Sequence, residues 1–191
     1  MDQATTVEVE KVERKAEEKK ENPMRRIRIE KVVINSCIGA NTPRLERAAK
    51  IIEMLTGQKP EFRKAKKTIK GFGIYRGQPI AVRVTLRKQK AVEFLEKALK
   101  AVNNTLKASS FDENGNFSFG IKEHLDIPGT KYDPELGIIG MDVCVHLSRP
   151  GLRVALRKRA RSKIGPSHKI TREEAMEFVK NTFGVRIIEE E

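Results

Sequence analysis

The segment PIAVRVTLRKQKAVEFLEKALKAVNNTL, residues 79–106, contains two hydrophobic periodicities in succession. Val82, Val84 and Leu86 alternate with polar residues, which predicts a half-buried strand with one basic face. The apolar residues that follow recur at helical spacing and predict an amphipathic helix; they are Ala91, Leu95, Ala98, Leu99, Val102 and Leu106. A strand joined to a helix of this kind is typical of folds in which helices cover one side of a sheet.

Other apolar runs predict further strands on either side of this segment. One run begins at Ile27 and stops at Asn35, and we expect it to form a mostly buried strand. Residues 141–148 alternate between apolar and polar side chains, which predicts another strand. We also expect a strand from Arg153 to Arg159, after the Pro150-Gly151 turn. Residues 108–140 are rich in turn-forming residues and predict a long loop with short strands.

Two more helices are predicted by their end signals. Thr42 is the expected N-cap of a helix that has Pro43 in its first turn and stops at Gly57. Thr171 and Glu174 match a capping box, and we expect that helix to end at Gly184. The whole pattern predicts an α+β fold, with an antiparallel sheet, helices packed on one face, and basic loops and a tail extending from it.

The charge of the chain divides it into three parts. Residues 1–22 carry 5 basic and 7 acidic side chains with no aromatic residue, so we expect a disordered arm. Residues 189–191 form an acidic tail. Residues 23–188 carry 34 basic and 16 acidic side chains, a net charge of +18, and are expected to form a single domain. Such an excess predicts a polyanionic partner, RNA or DNA.

Other function classes have weaker support. The positive charge could serve solubility alone, and binding to an anionic membrane would need a basic amphipathic helix with a bulky apolar face. No apolar run approaches the ~18 residues of a transmembrane helix. The chain also lacks a phosphate-binding loop of the G-x-x-x-x-G-K-[ST] type and an H-E-x-x-H pair, and its three histidines are scattered. We therefore expect no enzyme activity, no metal and no cofactor.

Two acid-free stretches are the candidate phosphate-binding sites. Residues 63–70 contain 5 basic residues in 8, and residues 149–169, here called the basic segment, contain 8 in 21. Ammonium and guanidinium groups bind phosphate without reading sequence. An ordinary solvated hairpin tip is the alternative for the first stretch. The predicted phosphate-binding residues are Arg63, Lys64, Lys66, Lys67, Arg153, Arg157, Lys158, Arg159, Arg161 and Lys163.

The glycine-rich stretch 70–77 follows the first of these sites. Its two aromatic residues, Phe72 and Tyr75, could stack on exposed bases. The residues from Lys70 to Gly73 also match the start of the RNA-recognition-motif signature, but Gly77 stands where its second aromatic belongs. A free module of that type remains an alternative, and an RNA-modifying enzyme is a more distant one.

Several blocks of sequence together resemble one known family, large-ribosomal-subunit protein five, the binder of 5S ribosomal RNA. They occur in the family's order between Asn35 and Leu147, and they are residues 56–60, 66–72, 77–87, 111–123 and 132–142. The stretch 164–170 and the basic residues before it resemble the archaeal and eukaryotic branch of the family.

The resemblance implies a structural protein of the cytoplasmic ribosome. Its place would be the central protuberance of the large subunit, with 5S rRNA, adjoining large-subunit rRNA and neighbouring ribosomal proteins as partners. The 5S-binding residues that the resemblance implies, with the arginine that shares their strand face, are Asn35, Gln58, Arg83, Thr85 and Arg87. The residues implied to contact P-site tRNA are Lys70, Gly71, Phe72, Gly73, Tyr75, Arg76 and Gly77.

Overall fold

A computed structural model describes residues 22–188. The expected disordered arm, apart from Asn22, and the acidic tail lie outside the described residues. The strands are β1 (Arg28–Cys37), β2 (Glu61–Lys64), β3 (Pro79–Leu86), β4 (Thr105–Lys107), β5 (Phe117–Ile121), β6 (Met141–Ser148) and β7 (Arg186–Ile188). The helices are α1 (Thr42–Thr56), α2 (Lys88–Ala101), α3 (Arg153–Leu156) and α4 (Arg172–Phe183).

Five of the strands form one antiparallel sheet in the order β2-β3-β1-β6-β5. Strand β1 is central: Ile34 lies opposite Val84 of β3 on one side and Val143 of β6 on the other. Strands β4 and β7 form a separate parallel pair. Because sequential strands are not always neighbours in this sheet, its order could not be read from the sequence.

The helices pack on one face of the sheet and bury its alternate side chains. Val32 and Ile34 of β1 are fully buried against residues such as Leu45 of α1 and Leu95 of α2. Burying aliphatic side chains of this size contributes about 1.5–3 kcal/mol each to folding. The predicted α+β fold, with helices on one face of an antiparallel sheet, is thereby confirmed.

The opposite side of the sheet, here called the open face, carries half-buried and exposed side chains. The register places these residues in adjacent rows, and they are Lys31, Val33, Asn35, Glu61, Arg83, Thr85, Asp142, Cys144 and His146. Successive residues of a strand point to opposite sides. Because the neighbours of these residues along each strand are mostly buried under the helices, these residues face away from the helices.

Most of the predicted helix ends are confirmed. Gly57 and Gly184 end α1 and α4 in the left-handed conformation, with φ of 60° and 63°, which glycine adopts without steric cost. Thr171 and Glu174 form the expected capping box. The expected cap at Thr42 is wrong by one residue: the side chain of Asn41 accepts the backbone N–H of Arg44 at 3.1 Å, and Thr42 is the first helical residue.

The strand expected from Arg153 to Arg159 is wrong. These residues instead form the short helix α3 and an extended stretch after it. A strand needs a hydrogen-bonding partner, and β6, which precedes it, already pairs with β1 and β5. Its larger apolar side chains do not face the core either, because Val154 is 36% exposed and Leu156 is 74% exposed.

The second predicted helix is shorter than its apolar periodicity indicated. It ends at Ala101, and Asn103 and Asn104 then take positive φ values of 54° and 50°. Asparagine tolerates this left-handed conformation better than most residues, so the pair turns the chain. Leu106 is buried as expected, but in β4 rather than in the helix. Among residues 22–188, no helix is long and apolar enough to cross a bilayer.

Candidate nucleic-acid interface

The five residues predicted to bind 5S RNA lie together on and beside the open face. Asn35 of β1 lies directly opposite Arg83 of β3. The Gln58 side-chain amide, just beyond α1, donates to the Thr85 carbonyl at 3.3 Å. Arg87 follows β3 and is exposed. Residues that are far apart in sequence thus form one polar surface on a rigid sheet.

Two arginines of this surface are held by one carboxylate. Glu61 of β2 accepts hydrogen bonds from Arg63 at 2.9 Å and from Arg83 at 3.1 Å. The hydrogen bonds from Arg63 and then Arg83 hold the pKa of the Glu61 carboxyl below its usual value. Surface pairs of this kind add little stability, so their main effect is to restrict where the guanidinium groups point.

A second carboxylate holds the other end of the surface. Glu30 pairs with Arg87 at 3.3 Å and with Arg28 at 3.7 Å, and it also accepts the Ser148 hydroxyl at 3.3 Å. It lies where the register of β1 against β6 shifts. Sequence reasoning missed Glu30 and Glu61, because only the pairing of the strands brings these acids beside Arg87 and Arg83.

The glycine-rich stretch forms the end of a hairpin between β2 and β3, here called the tip hairpin (residues 65–78). Its base closes where the Ala65 N–H donates to Gln78 and the Gly77 N–H donates to Ala65. Nearer the tip, Ile69 and Ile74 exchange backbone hydrogen bonds of 2.9 and 3.2 Å. The hairpin therefore has a defined path, set by its own backbone.

The tip hairpin presents its aromatic side chains to solvent. Phe72 is 74% exposed and Tyr75 is 69% exposed. The recognition-module alternative needed both rings on a sheet surface, and it is wrong because both lie in the tip hairpin. Both rings are therefore accessible to a ligand.

The predicted phosphate-binding residues lie at two separate places. Arg63 and Lys64 belong to the edge strand β2, and Lys66 and Lys67 follow in the tip hairpin, all exposed. The others are exposed along α3 and the extended stretch after it; they are Arg153, Arg157, Lys158, Arg159, Arg161 and Lys163. The two groups lie at opposite ends of the strands, because Ala81 pairs with Cys37 near the tip hairpin and Ser148 pairs with Arg28 at the other end.

A buried arginine holds the basic segment against the fold. The Arg149 guanidinium is 6% exposed and donates to the carbonyls of Arg25 and Lys169, both at 3.0 Å, and to the Glu174 carboxylate at 2.8 Å. Burial opposes ionisation of Glu174, but the Thr171 backbone N–H and Arg149 outweigh it and lower the pKa of its carboxyl. The sequence identified Arg149 only as one more basic residue.

Three other titratable groups of the described residues have shifted pKa values, and burial is the main cause of each shift. His124 is buried, and this burial lowers its pKa, whereas burial raises the pKa of the Cys144 thiol. Burial, followed by the charge of Lys31, lowers the pKa of His146, so its imidazole is neutral at pH 7. No three His, Cys, Asp or Glu side chains of residues 22–188 come together as metal ligands.

Comparison with known proteins matches two models of one family. "Ribosomal protein L5" matches residues 22–74, and the model of the C-terminus of the same ribosomal family matches residues 79–178. The chain belongs to the ribosomal protein L5 family. The resemblance described from the sequence is thereby confirmed, and with it the prediction that this L5-family chain is a structural ribosomal protein and not an enzyme.

Relatives of this L5-family chain carry the name "Large ribosomal subunit protein uL5". The one from Pyrobaculum aerophilum is 56% identical over 88% of this chain and 94% of its own length. The one from Aeropyrum pernix is 51% identical over 97% of both chains. The one from Dictyostelium discoideum is 52% identical over 86% of this chain and 81% of its own length. The archaeal character of the chain is confirmed, and ribosomal RNA and other ribosomal proteins are its partners.

Proposed function

We propose that this chain binds 5S rRNA through the open face of its sheet. The observation that carries the proposal is the convergence of Asn35, Gln58, Arg83, Thr85 and Arg87 on one surface. Guanidinium groups bind phosphates in a bidentate manner, and amides and hydroxyls add directional hydrogen bonds. A surface already ordered by a sheet loses little conformational entropy on binding, which suits a permanent RNA partner.

The basic residues at the two ends of the sheet would extend this contact to adjoining large-subunit rRNA. The exposed side chains of the basic segment carry no neighbouring acid within residues 149–169. Arg149 holds this segment in place, so its phosphate-binding groups have a defined position relative to the open face. By its membership of the L5 family, the chain would lie in the central protuberance of a cytoplasmic, ribosome-bound large subunit.

The tip hairpin would contact tRNA in the peptidyl site. It projects from the sheet edge between β2 and β3, away from the five residues of the proposed 5S surface. Phe72 and Tyr75 offer exposed rings, and Lys70 and Arg76 offer cations for the tRNA backbone. Stacking on an aromatic ring tolerates any base, as a contact with many different tRNAs requires.

Filter binding of the full chain to purified 5S rRNA tests the first part of the proposal. We expect Arg83→Ala and Arg87→Ala each to weaken binding by about 1–3 kcal/mol, because each removes a charged contact. Arg47→Ala is the matched control, since Arg47 is an exposed arginine on α1 behind the sheet. If Arg47→Ala costs as much as the two open-face variants, general charge rather than the open face drives binding.

A second experiment tests the tip hairpin. Replacing residues 72–76 with glycine and serine should leave 5S affinity nearly unchanged but lower tRNA retention on reconstituted large subunits. The physical reason is that these residues lie in the tip hairpin, outside the strand pairing that forms the Asn35–Arg83 row. A variant that loses 5S affinity and keeps tRNA would contradict this division between the two surfaces.

A further inference from the structure

A cavity of about 440 Å³ lies beneath the basic segment. It is lined by residues 146–149 at and after the end of β6, by Leu152 and Ala155 of the α3 region, and by residues 163, 164 and 168–170. The size is within the range of about 300–1,000 Å³ that is typical of small-molecule pockets. None of the five proposed 5S-binding residues lines it.

The lining of this cavity combines an apolar interior with positive charge. Leu152, Ala155 and Ile164 supply apolar surface, and Lys163 and Lys169 supply cations. No carboxylate belongs to the lining in the part of the chain that the structure describes. A flat apolar ligand that carries a negative group fits this combination better than a cation or a neutral aliphatic chain.

One wall of the cavity is organised by a chain of hydrogen bonds. Asp112 accepts the backbone N–H groups of Asn114 and Asn116 at 2.9 and 2.7 Å, and it also accepts the side-chain amide of Asn116 at 2.8 Å. A carboxylate only accepts, so the Asn116 amide nitrogen faces Asp112 and its oxygen faces His146. The distance from this oxygen to His146 Nδ1 is 2.6 Å.

This chain of bonds determines the tautomer of His146. Because the Asn116 oxygen accepts, Nδ1 of the neutral imidazole must carry the proton, which leaves Nε2 as an acceptor. No residue within 22–188 donates to Nε2. The side chain of Asn114, which also lines the cavity, can both donate and accept.

We propose that this cavity holds an unpaired base of ribosomal RNA that carries an exocyclic amino group. His146 Nε2 would accept from the amino group of adenine or cytosine, the apolar lining would contact the ring, and Lys163 and Lys169 would hold the flanking phosphates. Bases that leave their stack are commonly recognised in this way, by hydrogen bonds to the base edge and contacts to the ring. The proposal rests on RNA binding by the basic segment and not on the identity of the RNA at the open face.

The test uses the full chain with nucleotides as probes. The ¹⁵N resonance of His146 Nε2 is followed by NMR while AMP, CMP, UMP or inorganic phosphate is added. AMP and CMP should shift this resonance saturably. UMP offers a carbonyl where cytosine offers the amino group, so it should bind at least about fivefold more weakly, the effect of one hydrogen bond. Phosphate alone should leave the resonance unchanged.

Two variants and a control separate the cavity from general charge. Ala155→Trp should fill the cavity and His146→Phe should remove the acceptor, and each should lower AMP affinity at least about fivefold. Ala155 lies outside the open face, so Ala155→Trp should also leave 5S binding unchanged. Lys158→Ala removes an exposed charge outside the lining and should keep the preference for AMP over UMP. Retained 5S binding of Ala155→Trp and an unchanged circular dichroism spectrum of His146→Phe show that both variants fold, so their loss of AMP binding is caused by the change in the cavity.

The proposal fails if AMP and UMP bind equally or if Ala155→Trp leaves AMP binding unchanged. A benzophenone side chain at position 155 provides a second readout in assembled large subunits. Crosslinks to rRNA support the proposal, whereas crosslinks only to another ribosomal protein overturn it and assign the cavity to a protein side chain. Neither result depends on which RNA occupies the open face.

Discussion

Replacing Arg149 with methionine should lower the free energy of unfolding by about 3 kcal/mol. Breaking a buried ion pair by removing one partner costs about 3–5 kcal/mol, because the remaining charge is left without compensation. Here Glu174 is 39% exposed, so water can solvate its carboxylate and the cost falls to the lower end of that range. The carbonyls of Arg25 and Lys169 also lose a charged donor. Methionine keeps most of the apolar volume, which limits any cavity cost.

Urea denaturation followed by circular dichroism measures this loss. For a chain of this size, about 3 kcal/mol corresponds to a fall in Tm of roughly 6–12 °C. Arg149→Lys should recover little, since one ammonium group does not reproduce the fork that spans three acceptors.

Arg153→Met is the matched control for this experiment. Arg153 is exposed, and its replacement should change stability by less than about 0.5 kcal/mol. A loss below about 1 kcal/mol for Arg149→Met, with an unchanged urea m-value, would refute the argument that the buried guanidinium holds the basic segment in place.

Three further predictions concern pH, backbone conformation and charge. The pKa of Glu174 is lowered in the folded state, so its contribution to stability is present above its usual pKa of about 4.3 and is lost as pH falls through the lowered value. The urea midpoint should therefore fall less between pH 6 and pH 3 in Arg149→Met than in the unmodified chain. Gly115→Ala should cost about 1–3 kcal/mol in the same denaturation assay, because φ is +76° and the new Cβ would lie 2.6 Å from Ile170 Cγ2; a neutral result would contradict the packing at this turn. If about five phosphates are neutralised, log K for 5S rRNA should fall against log salt with a slope of about −3.5 to −4.5 in filter binding, and a flat salt dependence would contradict the electrostatic account. Deleting the net-negative residues 1–21 should change this affinity by less than about threefold, and a tenfold loss would contradict the same account.

The elements with local signals were predictable from the sequence. The alternation around Val84 predicted β3, and the T-x-x-E pattern at Thr171 predicted the start of α4, because both depend on residues within one or two turns of chain. The stretch from Arg153 was also predicted to be a strand and did not form one. Whether this stretch forms a strand depends on whether a neighbouring strand is free to pair with it, and no local sequence pattern indicates that.

Some residues of the candidate site were predictable from the sequence and others were not. The sequence identified the arginines of the open face and the basic segment, since clusters of charge without acids are visible in one dimension. It did not identify Glu30 and Glu61 as partners of Arg87 and Arg83, because only the strand order brings these residues together. The role of Arg149 was also hidden, because a buried and an exposed arginine are the same letter in a sequence.

By itself, the sequence determined the α+β class, the positive charge of residues 23–188 and the family, because periodicity, composition and ordered motifs are properties of the linear chain. The tertiary structure alone decided which charged and polar side chains lie next to one another. Strand register placed Asn35 beside Arg83, and the turn at Asp112 oriented Asn116 toward His146. Such contacts act over a few ångströms between residues tens of positions apart, so they exist only once the core has packed and brought those segments together.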